Sequence, residues 1–209
     1  VDVKPQVSAG IFGGYQSAGG DESSGVTGLG ADTYNNEAEA DAIASAVRSL
    51  LRDNGQEFAQ RIAIITAFKH QVLTIMARLG GIVENIGDLL IGTVDQVQGQ
   101  ERSVVMISMV RHTRDNLLPG SSMPLGFVGN PKKTNVAISR AECLLIIFGS
   151  REGLLKQPRT EPWRNIVDSL FAKNAVLQPS EVRQAQMGSK PKAQTNNRGG
   201  ADAGADADW

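Results

Sequence analysis

The 209-residue chain is long enough for one α/β domain with additional segments, and its hydrophobic content of 41% is sufficient for a buried core. Its formal net charge of -1 neither indicates nor excludes a nucleic-acid partner, because a local basic strip can lie within a nearly neutral total. The single cysteine, Cys143, excludes an internal disulfide framework and favours a reducing compartment, and no stretch predicts a membrane span or a signal peptide.

The first elements are a strand and a capped helix. A short apolar run predicts a strand from Val7 to Phe12, and a loop rich in Gly and Ser follows it. Asn36 then has the features of a helix cap, with Glu39 three residues later in the capping-box position. Apolar residues at helical spacing continue this helix until Gly55 ends it.

The same alternation of strands and helices continues along the chain. Four short apolar runs predict buried strands at Arg61–Thr66, Leu89–Thr93, Ser103–Val110 and Cys143–Gly149. Helices are predicted over residues 69–81, 131–142 and 162–174, and the second of these opens with Asn130 as cap and Pro131 in the first turn.

These elements predict an α/β fold, with a mostly parallel sheet covered by helices on both faces. We expect one domain over residues 1–178 and a disordered, polar tail over residues 179–209. Ligands of such sheets bind beyond the carboxyl ends of the strands, where Thr66, Arg111 and Gly149 are expected. The strand from Ser103 could instead run antiparallel, in which case these ends would not share one edge.

A polar turn, "TVDQVQGQE", lies between two predicted strands. Gly99 would let backbone N–H groups approach a ligand closely, and the carboxylate of Glu101 could accept two hydrogen bonds from a ribose diol. Thr93, just before the turn, adds a hydroxyl. Composition alone favours the alternative, a polar loop whose side chains hydrogen-bond to their own backbone.

Three other side chains are candidates with ordinary structural alternatives. Arg140 lies near the end of a predicted helix, next to a strand, and could bind phosphate oxygens or cap that helix. Phe68 and Gln71 could stack on and read an adenine, or could be a core aromatic and a helix-surface amide. His70 and His112 have no metal-ligand spacing around them, so no metal site is predicted.

The order and spacing of three segments add a further indication. "ITAFKHQ", "TVDQVQGQERSVVMISMVR" and "LGFVGNPKKTNVAISRAECLLIIFGS" resemble motifs IV, V and VI of superfamily 1 helicases. The chain is most similar to the Upf-like branch, which acts in nonsense-mediated decay, and within it to the RNA-silencing helicases of the Armitage type. The resemblance extends over about residues 7–175 and includes "YNNEAEA" and "PWRNIVDSL".

The resemblance implies the second of two RecA-like domains, with ATP bound in the cleft between them. It implies that Phe68 and Gln71 contact the adenine side. The ribose would bind Glu101, Gly99 would lie near the phosphates, and Arg140 would be the arginine finger.

The resemblance also implies a single-stranded RNA or DNA partner, contacted by Thr66, Thr93 and Arg111, in a cytoplasmic protein with the nucleus as the alternative. The departures from the family pattern, such as Val97 for Phe and Ser139 for Thr, are mild.

No G-x-x-x-x-G-K-[ST] sequence occurs in these residues. The phosphate loop and the Mg²⁺ ligands are therefore expected on a first RecA-like domain that is absent here, and the chain alone is expected to lack ATPase activity. The rival hypothesis is a non-catalytic nucleic-acid-binding or scaffold module derived from a helicase.

Overall fold

A computed structural model describes residues 35–110, 126–151, 154 and 160–177, together with the backbone of residues 6–12. Within these ranges, six strands form one sheet in the order β3-β2-β4-β5-β1-β6, and each neighbouring pair is parallel. The strands are β1 (Gln6–Phe12), β2 (Ile62–Thr66), β3 (Leu90–Thr93), β4 (Arg102–Ser108), β5 (Ala141–Gly149) and β6 (Val176–Leu177).

Helices cover both faces of the sheet, as the sequence predicts. Those with fully described bounds are α1 (Glu37–Asn54), α2 (Lys69–Leu79), α3 (Pro131–Ser139) and α4 (Glu161–Ala172), and short 3-10 turns lie at Gln56–Arg61, Ile86–Asp88 and Gly126–Gly129. Residues of α1 and α2 pack on one face, and residues of α3 and α4 pack on the other. This is the RecA-like α/β arrangement.

Alternating side chains of each central strand enter the two cores. In β2, Ile62 and Ile64 join the core beneath α1 and α2, whereas Ala63 and Ile65 join the core beneath α3 and α4. All five residues of this strand are buried, which explains why its sequence is a continuous apolar run rather than an alternating one.

Both predicted helix caps are confirmed. The side chain of Asn36 accepts a hydrogen bond from the Glu39 N–H at 3.1 Å. The side chain of Asn130 accepts from the N–H groups of Lys132 and Lys133, at 3.1 and 3.2 Å. These bonds satisfy donors that have no partner within the helix, so local sequence alone locates both helix starts.

An exposed ion pair connects α1 and α2 on the outside of the domain. The guanidinium of Arg78 donates to Asp41 at 2.7 Å and to Glu37 at 3.2 Å. The hydrogen bond and charge of Asp41, with a smaller contribution from Glu37, raise the pKa of Arg78 above its usual range. Arg78 would be protonated at physiological pH without this shift, and the exposed contact links the two helices while contributing little to stability.

Three expectations require correction. The alternative of an antiparallel strand after the polar turn is wrong, because β4 pairs in parallel with both β2 and β5. The strand predicted to continue to Val110 ends at Ser108, because Val110 has a φ of 61° that is incompatible with a strand. The helix predicted over 131–142 ends at Ser139, because Ala141 already pairs with Arg102 in the sheet.

Arg111 and the predicted tail over residues 179–209 lie outside the described residues. In the part of the chain that is described, no helix has the length and apolar character needed to cross a bilayer.

Candidate functional site

Residues 94–101, here called the crossover, connect the two ends of the sheet. Thr93 ends β3 and lies level with Thr66, which in turn is level with Ser108 at the far end of β4. Since β4 begins at Arg102, the crossover must return along the sheet from its carboxyl end to its amino end. Thr93 and Glu101 therefore lie at opposite ends of the sheet, because the six residue steps from Arg102 to Ser108 span roughly 20 Å at about 3.3 Å each.

The crossover is fixed to the sheet by its apolar residues. Val94 and Val97 are buried in the core beneath α3 and α4. Gly99 has a φ of 77°, a conformation that other residues adopt only with strain, so a glycine is needed where the chain turns towards β4. The glutamine-rich sequence therefore forms a short, anchored connection rather than a freely extended loop.

At the amino end of the sheet, Arg140 and Glu101 form an ion pair. Nη1 of Arg140 lies 3.2 Å from Oε1 of Glu101, and the arginine side chain is 16% exposed. Its Nε donates to the carbonyl oxygen of Val136 and its Nη2 to the hydroxyl of Ser139. The backbone supports this contact, because the N–H of Arg102 donates to the carbonyl oxygen of Arg140. Two residues predicted to bind one nucleotide are thus in direct contact.

At the carboxyl end of the sheet, a cleft of about 210 Å³ opens beside the ends of β2 and β3. We call it the carboxyl-end cleft. Its lining includes Thr66 and Thr93, both predicted to contact nucleic acid, and the start of α3. The hydroxyl of Thr93 is hydrogen-bonded to Gln96, whereas that of Thr66 is buried and finds no hydrogen-bond partner among the described residues.

The structure does not place the predicted adenine contacts beside the predicted ribose contact. Phe68 and Gln71 follow β2 at the carboxyl end, and both are buried. The amide of Gln71 accepts from the N–H of Asn36 at 2.7 Å and donates to the Asn36 carbonyl oxygen and to Ser108 Oγ. Adenine and ribose are directly bonded, whereas Gln71 and Glu101 lie at opposite ends of the sheet. The adenine role stays a prediction that this geometry does not support.

Sequence reasoning treated Glu39 only as part of a helix cap, and the structure gives it a second role. Its side chain is fully buried, and Oε2 accepts from the hydroxyl of Ser108 at 2.7 Å and from the N–H of Val110 at 2.9 Å. Together with Asn36 and Gln71 it forms a buried polar network that joins α1, α2 and the end of β4. No local pattern could reveal this, because Glu39 and Ser108 are 69 residues apart in sequence.

A second pair that the sequence did not reveal crosses the carboxyl-end cleft. Nζ of Lys133 donates to Oδ2 of Asp95 at 2.7 Å, which links α3 to the crossover. Among the described residues, no group of three or more His, Cys, Asp or Glu side chains could hold a metal ion.

Comparison with known proteins identifies the family. Residues 8–152, more than half of the chain, match the family model described as an AAA domain, and this stretch contains the crossover and Arg140. The chain belongs to this family of Upf-like superfamily 1 helicases. The family predicted from the motifs is thereby confirmed.

Several relatives of this helicase family are named RNA helicases or helicases. The Gallus gallus protein "Putative helicase MOV-10" is 34% identical over 137 residues, covering 60% of this chain and 14% of that protein. The Drosophila melanogaster "Probable RNA helicase armi" is 36% identical over 117 residues, which cover 56% of this chain and 9% of that protein. The Takifugu rubripes "Putative regulator of nonsense transcripts 1" is 27% identical over 170 residues, which cover 78% of this chain and 14% of that protein. The chain thus matches a small fraction of each of these relatives.

Proposed function

We propose that this chain is the second RecA-like domain of an ATP-dependent RNA helicase, supplying the arginine finger and part of the single-strand surface. The observation that carries the proposal is the crossover, which connects Thr93 at one end of the sheet to Glu101 at the other. This one short segment therefore reaches two places. At Thr93 it reaches a surface suited to single-stranded nucleic acid, and at Glu101 it reaches the ion pair with Arg140, which is suited to a nucleotide. RNA is favoured over DNA because the Drosophila melanogaster relative is named a probable RNA helicase.

The surroundings of Arg140 suit an arginine finger. The guanidinium presents a rigid fork that matches phosphate oxygens, and its Nε contact with Val136 fixes the direction of the side chain. When ATP is bound, charge develops on the γ-phosphate during transfer, and a positioned arginine stabilises that charge. The low exposure of Arg140 limits competition from water, so its charge acts more strongly than that of a fully exposed residue.

The ion pair with Glu101 must open when nucleotide binds. Glu101 is proposed to accept from the ribose hydroxyls and Arg140 to contact the γ-phosphate, and these groups lie at opposite ends of the ribose-triphosphate unit. The two side chains cannot make both contacts while they are 3.2 Å apart. We therefore interpret the pair as the nucleotide-free arrangement, in which Glu101 neutralises the guanidinium until phosphate replaces it.

The remaining catalytic groups are proposed to lie on the first RecA-like domain. Phosphoryl transfer needs a phosphate loop and Mg²⁺ ligands, and the described residues include no metal-binding cluster. The amino-end pair of Arg140 and Glu101 would then face that domain across the nucleotide. The name of the Takifugu rubripes relative makes the regulation of nonsense transcripts one pathway to test first. The resemblance of the motifs to the Armitage type makes RNA silencing the other.

The test is Arg140→Ala in the full-length helicase, with RNA-stimulated ATP hydrolysis and nucleotide-free RNA binding as the two measurements. Arginine fingers contribute about 10³–10⁵-fold to turnover in well-studied phosphoryl-transfer systems, so we expect hydrolysis to fall by at least about 10³-fold. RNA binding should persist, because Arg140 lies at the opposite end of the sheet from the cleft.

Arg140→Lys is the matched control, since it keeps the charge and removes the planar fork. We expect it to rescue hydrolysis poorly. Normal hydrolysis by Arg140→Lys would show that the residue caps its helix and is not a finger. Unchanged hydrolysis by Arg140→Ala, or its absence in the wild-type protein, would favour the non-catalytic module instead.

A further inference from the structure

Among the described residues that line the carboxyl-end cleft, one carries a positive charge, and this charge is paired with an acidic side chain. Lys133 extends from the first turn of α3, and its Nζ lies 2.7 Å from Oδ2 of Asp95 on the crossover. Both partners are well exposed, at 43% and 67% of their side-chain surface. Exposed ion pairs contribute little to stability, so this pair can exchange partners at small cost.

The positive charge of the cleft comes from this side chain rather than from the end of α3. Pro131 has no N–H, and the N–H groups of Lys132 and Lys133 already donate to the side chain of Asn130. The helix end therefore offers no free donor from these residues. A lysine ammonium is a compact charge on a flexible stem, which suits a phosphate that must be held irrespective of its base.

The cleft has the position and surface expected of a binding site for the sugar-phosphate backbone of single-stranded nucleic acid. It lies beyond the carboxyl ends of β2 and β3, the edge at which open α/β sheets bind their ligands. Thr93 adds a hydroxyl, and Val94 and Phe127 form an apolar wall. The lining contains no second cation that would match a multiply charged ligand such as a triphosphate.

We propose that Lys133 binds one backbone phosphate of a single-stranded nucleic acid in this cleft, and that Asp95 is its internal competitor. In the free protein Asp95 holds the ammonium in place. On binding, phosphate replaces the carboxylate, which turns towards solvent. The inference rests on the proposed function, because it names the group of the strand that this part of the surface recognises.

The two members of the pair should have opposite effects on binding, which a purely structural ion pair would not. Removing the side chain of Lys133 removes a contact to a phosphate and should weaken binding. Removing the charge of Asp95 frees the Lys133 ammonium to bind phosphate and removes repulsion between the Asp95 carboxylate and the nucleic acid, so binding should tighten. If the pair only connected α3 to the crossover, either substitution would break the same contact and both would act in the same direction.

The experiment measures the affinity of the full-length helicase, without nucleotide, for a fluorescein-labelled oligouridylate over a range of salt concentrations. One phosphate contact contributes about 0.7 to the salt slope for a single strand. Lys133→Ala should therefore make the slope shallower by about 0.7 and weaken binding about fivefold near 0.1 M salt. Asp95→Asn should tighten binding about two- to fivefold.

Three variants control for charge and folding. Lys132→Ala removes the same charge from the exposed neighbouring residue, which does not line the cleft, and should change the slope less than Lys133→Ala. Lys133→Arg keeps the charge and should retain the slope. The double variant Asp95→Asn with Lys133→Ala should resemble Lys133→Ala alone, because Asp95 acts through Lys133.

The inference is overturned if Asp95→Asn weakens binding as Lys133→Ala does, or if Lys132→Ala and Lys133→Ala change the slope equally. The first result assigns the pair a structural role, and the second assigns its effect to overall charge. In either case ATP hydrolysis that depends on Arg140 would leave the proposed function standing. A wild-type protein that does not bind the oligonucleotide would overturn both.

Discussion

The guanidinium of Arg140 uses each of its three nitrogens before any ligand binds. It contacts Val136, Ser139 and Glu101, and this leaves one orientation for the fork. The sequence offered two explanations for this arginine, a helix cap and a phosphate ligand. The structure shows that the residue already makes the capping contact through Nε, so the two roles are compatible and use different atoms.

At the scale of single residues, substitutions of Glu101 and of Thr93 should weaken the binding of different ligands, ATP and RNA respectively. Glu101→Gln removes the charge that strengthens the proposed ribose contact, and we expect about tenfold weaker ATP binding with RNA binding nearly unchanged. Thr93→Val should weaken RNA binding by about fivefold at most and leave ATP affinity nearly unchanged, because one neutral hydrogen bond is lost at the other end of the sheet.

Two titrations of each variant of the full-length helicase check this, one with labelled RNA and one with a fluorescent ATP analogue. A loss of the same ligand, to the same degree, in both variants would contradict the assignment of the crossover to two ligands.

At the scale of elements, the buried network around Glu39 determines how α1, α2 and β4 meet. A buried carboxylate is unfavourable unless hydrogen bonds compensate for its lost hydration. Here Asn36, Ser108 and Val110 each donate to it. The network also involves Gln71, which gives that residue a structural role independent of any nucleotide.

Glu39→Ala should destabilise the domain strongly. The substitution leaves the Ser108 hydroxyl and the Val110 N–H without their acceptor, and each unsatisfied buried donor costs about 1–3 kcal/mol. We therefore expect a loss of about 2–6 kcal/mol in the free energy of unfolding of the 209-residue chain, measured by urea denaturation.

Glu37→Ala is the matched control for this substitution. Glu37 lies in the same turn of α1, but its side chain is 70% exposed and its partner is Arg78 at the surface. We expect a loss below about 1 kcal/mol, because exposed ion pairs contribute little. Equal losses for the two variants would show that the network does not stabilise the meeting of α1 with β4.

At the scale of the whole molecule, the domain provides one half of the proposed catalytic arrangement. The proposed finger lies at one end of a single sheet, and the described residues include no metal-binding cluster. In the two-domain proposal, coupling between the nucleotide and the nucleic-acid strand would use the crossover within this domain and a second domain opposite Arg140.

This division predicts that the 209-residue chain alone shows no ATPase activity, with or without RNA, because no phosphate loop occurs in its sequence. The measurement is phosphate release by the purified chain, with Arg140→Ala as the control for contaminating enzymes. Turnover that Arg140→Ala abolishes would contradict the two-domain proposal, since the chain would then hold a complete site.

The sequence by itself determined the four helices, the first five strands, their order and the family, but not the two-residue strand β6 or the 3-10 turns. Asn36 and Asn130 locate helix starts through local hydrogen bonds, and the run in β2 indicates a strand buried on both faces, so neighbouring residues carry this information. The motifs identified the helicase family in the same way, since each is a continuous stretch of chain.

Only the tertiary structure decided where the side chains meet. The parallel direction of β4 sets Thr93 and Glu101 at opposite ends of the sheet, and strand direction depends on pairing between distant segments. The pairing of Lys133 with Asp95, 38 residues away, has no local signal for the same reason. The burial of Gln71 likewise follows from the approach of α1 to the end of β4, a contact that no pattern of neighbouring residues encodes.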